Sequence, residues 1–557
     1  MKFLEYMCFF VKLGLYFHTL KYLRPVQLSN RVYRKFFQPK IVEIPSDEMP
    51  CSDVNGNISS FIPRRQEWFD DGTVQFLNIR DDFSTHGWGA YPQSLLWHYN
   101  LHYFTELRRT ADIETQNRMI ASWVQDITPG SKIAWDPYPI SLRTVNWIYA
   151  HLKRVTSSKA GLEPEALSSL RKQLCFLSQT VEWHLLGNHL FENGKSLFIG
   201  GLFFDGKRAD ELRDQGARIL VKQIDEQILQ DGAHFELSPM YHALILEGVL
   251  EIVAIEQLFP HQRNRLVGEL VGKIESILPK MFDWLAHLVH PDGDYAFFND
   301  AGLGIAPTYQ ELADFAQRLG FNIKVDLQAS SRLLASGYCR MKKGDAVVIA
   351  DFAEVGPSYI PGHAHADTLS FELSIGRNRV FVNSGTSVYE TGELRAFQRS
   401  TAAHNTVEVQ GENSSEVWGG FRVARRARVK NKKFEESANS TAQAGHDGYR
   451  RLKTPVTHKR SFELSDNSLC VYDEIDKPLQ AAARFYLHPD CRVQENEAGT
   501  GFSIYFSDDD QKLLAEFMNA EVELKRTNWY PEFGVQQTNY CIELRPTQTS
   551  WSAKFSW

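Results

Sequence analysis

Between about residues 60 and 330, apolar side chains recur mostly at every third and fourth position, the spacing of amphipathic helices. The runs LLWHYNLHYFTELRR (95–109), ISLRTVNWIYAHLKRV (140–155), VEWHLLGNHLFENGKSLFIGGLFF (181–204) and YHALILEGVLEIVAIEQLF (241–259) carry the pattern. Turn-rich connectors, DPYP (136–139) and ELSP (236–239), separate them. Near residue 330 the texture changes. DAVVIADFAEV (345–355), TLSFELSIG (368–376), RVFVNSG (379–385), HNTVEVQG (404–411) and SLCVYDEID (468–476) are short, rich in Val, Ile and Phe, and bounded by Gly, Asn or Asp. These read as strands, with Arg377-Asn378 as a hairpin turn. Helices in one block and strands in the next predict a multidomain α+β chain. The divisions fall at a basic amphipathic arm (1–55), a helical domain of paired layers or a toroid (56–330), and an antiparallel β-sandwich domain (331–557).

Composition narrows the function. The 557 residues are 43% hydrophobic and 23% charged, as in a globular protein without long disorder. Lys+Arg of 61 against Asp+Glu of 68 gives −7, which excludes a dedicated nucleic-acid binder. An anionic ligand therefore needs a local basic patch. Seven scattered cysteines without a CxxC exclude a zinc ribbon and fit a reducing compartment. The apolar run MCFFVKLGLYF (7–17) is too short to span a bilayer and is not followed by a signal-peptide cleavage site. Residues 1–40 carry eight Lys/Arg against one acid, Glu5. Such an arm either lies on an anionic membrane surface or packs on the main domain, and the second reading fits slightly better. The expected address is cytoplasmic or membrane-peripheral, with the periplasm as the alternative.

The densest chemistry is PGHAHADTLSF (361–371): His363 and His365, two apart in an extended segment, point to one side, and Asp367 continues the row. His404 stands at the entry to another strand, and Asn383 lies between them in sequence. One His of the pair, His404 and an oxygen ligand form a candidate metal set of low specificity. In the helical half, Asn188-His189 sit on an aromatic-rich helix, and His234, Glu236 and Tyr241 surround a helix start that Pro239 suits. Trp135, Tyr138, Arg143 and Trp147 suit a site where sugars stack and an anion is held, although helix packing explains the tryptophans equally well. The basic run FRVARRARVKNKK (421–433) alternates as a strand with one cationic side, which either faces a cleft or is merely solvated.

In order, NHLFENGKSLFIGGLFF, DGAHFELSPMYH, PGHAHADTLSFEL and RSTAAHNTVEV resemble the heparinase II/III-type polysaccharide lyases and their oligoalginate-lyase relatives, over roughly residues 90–480. The resemblance implies an incomplete (α/α) toroid followed by an antiparallel β-sandwich, with the cleft between them. It implies β-elimination on an acidic, uronate-containing polysaccharide or oligosaccharide. Asn188, helped by His189, would neutralise the uronate carboxylate; Tyr241 matches the catalytic tyrosine and His363 its partner. A tyrosine with an ordinary pKa near 10 serves as base only where a cation favours its phenolate. Arg143, Arg395 and Arg399 are candidates for holding anionic groups, alongside Trp135, Tyr138 and Glu236. The family's metal ligands match His365, position 383 and His404, implying one structural divalent ion of the zinc type. Asn383 replaces the expected carboxylate, which weakens that site. The texture also resembles proteins of surface-polysaccharide production or turnover. Two alternatives stand: a glycoside hydrolase using Glu236 with Asp231 or Glu192, and a non-catalytic glycan-binding assembly protein.

Overall fold

The computed structural model describes residues 12–42, 49–89, 91–109, 112–323, 329–496, 501–506 and 511–557. The arm contributes α1 (residues 12–20) and α2 (Pro25–Phe36); residues 7–11 of the apolar run lie outside the described residues. A hairpin (Thr73–Phe76 with Ile79–Asp82) follows, where the helical spacing had predicted none. Its loop residues Leu77 and Asn78 have φ of 54° and 59°, the double positive φ of the turn that best matches strand twist. Then come α3 (Phe83–His86), α4 (Leu95–Leu101), α5 (Ile113–Asp126), α6 (Pro137–Val155), α7 (Pro164–Thr180), α8 (Gly187–Phe203), α9 (Lys207–Gln227), α10 (Pro239–Glu256), α11 (Arg265–His287) and α12 (Tyr309–Arg318). The predicted helix over 95–109 breaks after Leu101 because Phe104 takes a left-handed conformation. DPYP belongs to α6 rather than to a connector: Asp136 is the N-cap position and Pro137 the first helical residue, where its missing N–H costs nothing.

Two helical layers form the incomplete toroid. α6, α8 and α10 are buried along almost their whole length, and α10 is apolar nearly all round, as an inner helix must be. α5, α7, α9 and α11 bury one face and form the outer layer. α8 and α9 approach closely because Gly201 and Gly216 lie at the crossing: a methyl on Gly216 would collide with the backbone of Phe198. α12 closes against α10 and α11.

The β domain is an antiparallel sandwich. An eight-stranded sheet, from Val429–Glu436 at one edge to Arg492–Glu495 at the other, faces a five-stranded and a four-stranded sheet. Its strands Ser440–His446 and His458–Leu464 alternate buried and more open positions, as a sheet with one wet face does. Strand Ala346–Asp351 of the five-stranded sheet is buried at every position, since it has protein on both faces. Val348 and Ala350 enter the sandwich core, whereas Val347 and Ile349 enter the helical core. This strand fastens one domain to the other. The hairpin into Asn378–Phe381 turns at Gly376-Arg377, one residue earlier than the sequence suggested, because Gly376 supplies the positive φ (56°) at the first loop position. α13 (Glu393–Gln398) crosses the loops at the end of the sandwich that faces the toroid.

The arm lies across the joint. Tyr16 packs edge-on against Trp418, whose indole donates to the Thr19 hydroxyl (3.1 Å), while Arg24 pairs with Glu226 and covers the Tyr359 ring. Among the described residues no helix is long and apolar enough to cross a membrane.

Candidate active site

A cavity of about 990 Å³ opens between toroid and sandwich. The first turns of all three inner helices meet it: Tyr138 from α6, Asn188 and His189 from α8, Tyr241 from α10. Their positive dipole ends favour an anion there, although the Tyr241 N–H is already capped by the Ser238 hydroxyl. The entry to α8 is strained to achieve this, with Leu186 at φ 65° and Gly187 at φ 56°. Gly187 has no room for a side chain, since a Cβ would press on Ile360 and on Glu236.

From the sandwich side, His363 completes the centre. Its ring lies 4.0 Å from the Tyr241 ring, centroid to centroid. The Tyr241 hydroxyl is 2.8 Å from that of Tyr389, which stands 3.5 Å from His363 Nδ1. His363 Nδ1 is also 2.8 Å from Asp300 Oδ2, and its Nε2 is turned toward Glu236 at 3.8 Å. Asp300 is fully buried and central: it also takes His365 Nε2 (2.8 Å), the Thr386 hydroxyl (3.3 Å) and the Arg395 guanidinium, which grips both carboxylate oxygens. Asp300 and Tyr389 were missed by sequence reasoning. Asp300 sits in a short FFNDAG turn whose only signal is Asn-Asp beside Gly, and Tyr389 follows VNSGTSV without a pattern of its own.

The electrostatics follow from these partners. Against the cost of burial, Arg395 and the hydrogen bonds of His363 and His365 hold Asp300 well below the usual carboxylate range. Burial, then Tyr389 and Asp300, push the Tyr241 phenol well above 10, so it is protonated at rest. His189, 3.2 Å from Glu182, is raised by that carboxylate against its desolvation and favours the imidazolium form. Burial raises Glu236 toward its neutral form, and its Oε2 makes no hydrogen bond among the described residues.

Tyr138 and Glu236 thus share the cavity with Asn188, His189, Tyr241 and His363. The other expected substrate contacts do not reach it. Trp135 packs edge-on against Phe176, away from the cleft. Arg143 is fully buried, donating to Gln173 (2.8 Å) and to the carbonyls of His102 and Ala134 over the Trp123 ring. Arg395 is consumed by Asp300, and Arg399 by the carbonyls of Ala364 and Arg422. These arginines build the walls rather than touch a ligand. Of the cations in the basic run, Arg422 alone lines the cavity; Arg425, Arg428 and Lys430 pair with Glu416, Glu354 and Asp447. Asp231 accepts backbone N–H groups of Ala233 and Ser336 outside the cavity, so it cannot partner Glu236 in hydrolysis.

Asn383 is also displaced from its expected role. Its amide donates to the Phe297 carbonyl (2.9 Å) and accepts from the Asn405 N–H (3.0 Å), fixing the loops behind the site. Among the described residues, the group that could hold a cation is His365, Asp367 and His404, whose ligand atoms lie within 4.8 Å of one another.

The chain's relatives agree with this architecture. Residues 98–318 match the heparinase II/III N-terminus family, and residues 326–557 match the heparinase II/III-like C-terminal family. A heparin-sulfate lyase of Bacteroides stercoris is 27% identical over 307 residues, 51% of this chain and 43% of that protein. The match thus spans less than half of that relative's length. The FtsZ-localized protein C of Caulobacter vibrioides is 26% identical over 413 residues, 68% of this chain and 66% of that protein. A crystal structure of heparinase III shares the fold, with a TM-score of 0.66 at 17% identity over 95% of this chain and 89% of that one. Matched in order along both its helical and its strand-rich halves, the chain belongs to the heparinase II/III-like family.

Proposed function

We propose that this protein is a polysaccharide lyase that cleaves a uronate-containing polymer by β-elimination. The observation that carries the reading is the chain Tyr241–Tyr389–His363–Asp300 facing Asn188 and His189 across one cavity. The Asn188 amide and the His189 imidazolium receive the uronate carboxylate and so acidify the C5 proton. His363, its Nδ1–H held by Asp300, takes that proton on Nε2. The C5–H electron pair becomes the C4–C5 double bond, the C4–O bond breaks, and its pair stays on the glycosidic oxygen. Tyr241, a neutral phenol at rest, donates its proton to that oxygen. As Tyr241 gives up its proton, the Tyr389 hydroxyl donates a hydrogen bond to its oxygen; once product has left, His363 releases its Nε2 proton to solvent and Tyr241 regains one from solvent, which resets the site. The roles expected from sequence are thereby divided, with His363 as base and Tyr241 as acid. Absorbance of the new double bond should grow with wild-type protein on uronate polymers and fall at least ~100-fold with Tyr241→Phe, polymer binding being kept. Chain shortening without absorbance would instead mean hydrolysis.

The donor set near His365 fits a divalent metal. The Ser400 carbonyl can only accept, so His404 Nδ1 carries the proton (2.7 Å); the Asp300 carboxylate likewise places one on His365 Nε2. Burial keeps both rings in their neutral form. Two bare nitrogens, His365 Nδ1 and His404 Nε2, then face each other at 3.1 Å beside Asp367. His365, Asp367 and His404 would hold a zinc-like ion that ties the sandwich loops together and neutralises charge behind Asp300. Zinc should raise the melting temperature of chelator-treated wild type and leave His404→Ala unmoved; equal response of both proteins would count against the site.

The arm supports an anionic membrane surface as a second partner. Residues 12–42 hold seven Lys/Arg and no acid. Half of the large apolar side chains exposed among the described residues lie between Leu13 and Phe36. Sedimentation with anionic but not zwitterionic vesicles, lost in Phe17→Glu/Phe36→Glu, is the expected result; binding to neither vesicle would remove this partner.

A further inference from the structure

Trp135, expected from sequence among the substrate contacts, lines a second cavity of about 310 Å³ where the C-terminal turns of α2 meet the toroid. α2 and the residue after it contribute Asn30, Tyr33, Arg34 and Phe37. The toroid contributes Ser131 and Lys132, the start of α6, Phe176 near the end of α7, and Trp183 beyond it. The arm is pinned at this place. The Gln179 side chain accepts from the Lys40 N–H (3.1 Å) and donates to its carbonyl (3.0 Å), and Tyr33 and Phe37 stack with ring centroids 4.7 Å apart. The wall that α2 supplies lies outside both matched family regions.

The lining has the chemistry of a sugar site, mostly aromatic with a few polar groups. Tyr33, Phe37, Trp135, Phe176 and Trp183 offer ring surface to the apolar face of a sugar. Trp135 is 3% exposed, and neither its indole N–H nor the buried Ser131 hydroxyl has a partner among the described residues. A buried donor in that state is costly until a ligand atom or a water meets it. Asp136 accepts from the Tyr99 hydroxyl (2.8 Å) and keeps lone pairs for a sugar hydroxyl. Burial raises its carboxyl toward the neutral form, which softens its repulsion of an anion. Arg34 donates to His184 Nδ1 (3.1 Å), Lys132 is exposed, and neither forms an ion pair among the described residues.

Resting on the lyase reading, we infer that this cavity is a distal subsite for a second acidic sugar of the same polymer. Its carboxylate lies between Arg34 and Lys132, and its ring lies against the aromatic wall. Continuity with the catalytic cavity argues for the shared occupant. Arg31 lines the first cavity and Arg34 the second, and residues three apart on a helix are surface neighbours. His184 lines the first and Trp183 the second, while the Tyr99–Asp136 hydrogen bond joins the two walls. A polymer leaving the catalytic cavity past Arg31 therefore meets a line of cations leading to Lys132. Two contacts linked through one chain raise its affinity without altering the reacting centre.

Calorimetry on Tyr241→Phe protein tests this, with short and long oligosaccharides cut from several uronate polymers, at physiological ionic strength. Adding Arg34→Ala/Lys132→Ala should weaken the long chains at least ~10-fold relative to the short ones, the effect of losing one charge-assisted contact. Lys132→Ala alone, on the toroid wall, should move the same ratio in the same direction, which separates loss of the subsite from loosening of α2. With Tyr241 intact, the kcat/KM ratio of long to short chains should fall by a similar factor, read by ultraviolet absorbance. A loss equal for short and long chains, an unmoved ratio in either variant, or binding of no chain overturns the inference. If no polymer yields unsaturated product, the lyase reading fails, and the binding ratio still decides the subsite.

Discussion

Asp300 is the residue on which most of the site depends. It orients His363, fixes the tautomer of His365 and neutralises a fully buried Arg395. Asp300→Asn should therefore damage catalysis and folding together. We expect kcat to fall at least ~100-fold, since the base loses its orientation, and stability to drop by about 3–5 kcal/mol, since Arg395 is left without its counter-charge. Denaturant midpoints and turnover measured on one preparation check both; a variant of wild-type stability would contradict the packing described. Tyr389→Phe separates the two effects, because it removes the hydroxyl beside the Tyr241 oxygen and leaves Asp300 alone. It should lower kcat about tenfold with little change in KM or melting temperature. His363 was visible in its own spacing, whereas Tyr241 and Asn188-His189 became visible only through the resemblance that the ordered motifs carry. Asp300 was not visible: its importance comes from the three chain segments that converge on it, and convergence leaves no local pattern.

At the scale of elements, the site is the common mouth of α6, α8 and α10. Each begins with a feature the chain displays openly: Pro137 in α6, Ser238 and Pro239 in α10, and the Leu186-Gly187 turn before α8. Pro at a first turn and a serine cap are readable because they satisfy or spare free N–H groups locally. The spacing of the layers is less readable, because it rests on glycines whose value is the absence of a side chain at a crossing. Gly216→Val would drive methyl groups into the Phe198 backbone and separate α8 from α9. It should destabilise the protein by about 1–3 kcal/mol or more, while Gly268→Ala, at an open position of α11, should be neutral or slightly stabilising. Chemical denaturation of the two variants gives the comparison.

For the molecule as a whole, burial of neutral histidines sets an acid limit. Desolvation lowers His102 and His242 to about 3, and His151 to about 4, from an ordinary 6.5. A base whose pKa is lowered on folding binds fewer protons folded than unfolded. Its contribution is complete above pH 6.5 and is lost as pH falls toward 3–4. Urea midpoints should therefore fall steadily between pH 6.5 and 4.5; an unchanged midpoint over that interval would mean these rings are more solvated than the structure shows. The domains should lose their structure together, because strand Ala346–Asp351 sends alternate side chains into both cores.

Local rules determined much of this protein from its sequence. A period near 3.6 up to about residue 330 and a period near 2 beyond it are enough to place helices before strands, because each period reflects which face of one element meets water. The ordered motifs were enough to expect a toroid, a sandwich and an elimination chemistry. Tertiary structure decided the rest. It turned Arg143, Arg395 and Arg399 into buried wall, exchanged Asn383 for Asp367 beside the paired histidines, and drew Asp300 and Tyr389 into the centre. It also matched the cavity's cations to its own carboxylates. The physical reason is common to all of these. A charged side chain's role depends on which opposite charge or carbonyl reaches it first, and those partners lie tens to hundreds of residues away in the chain.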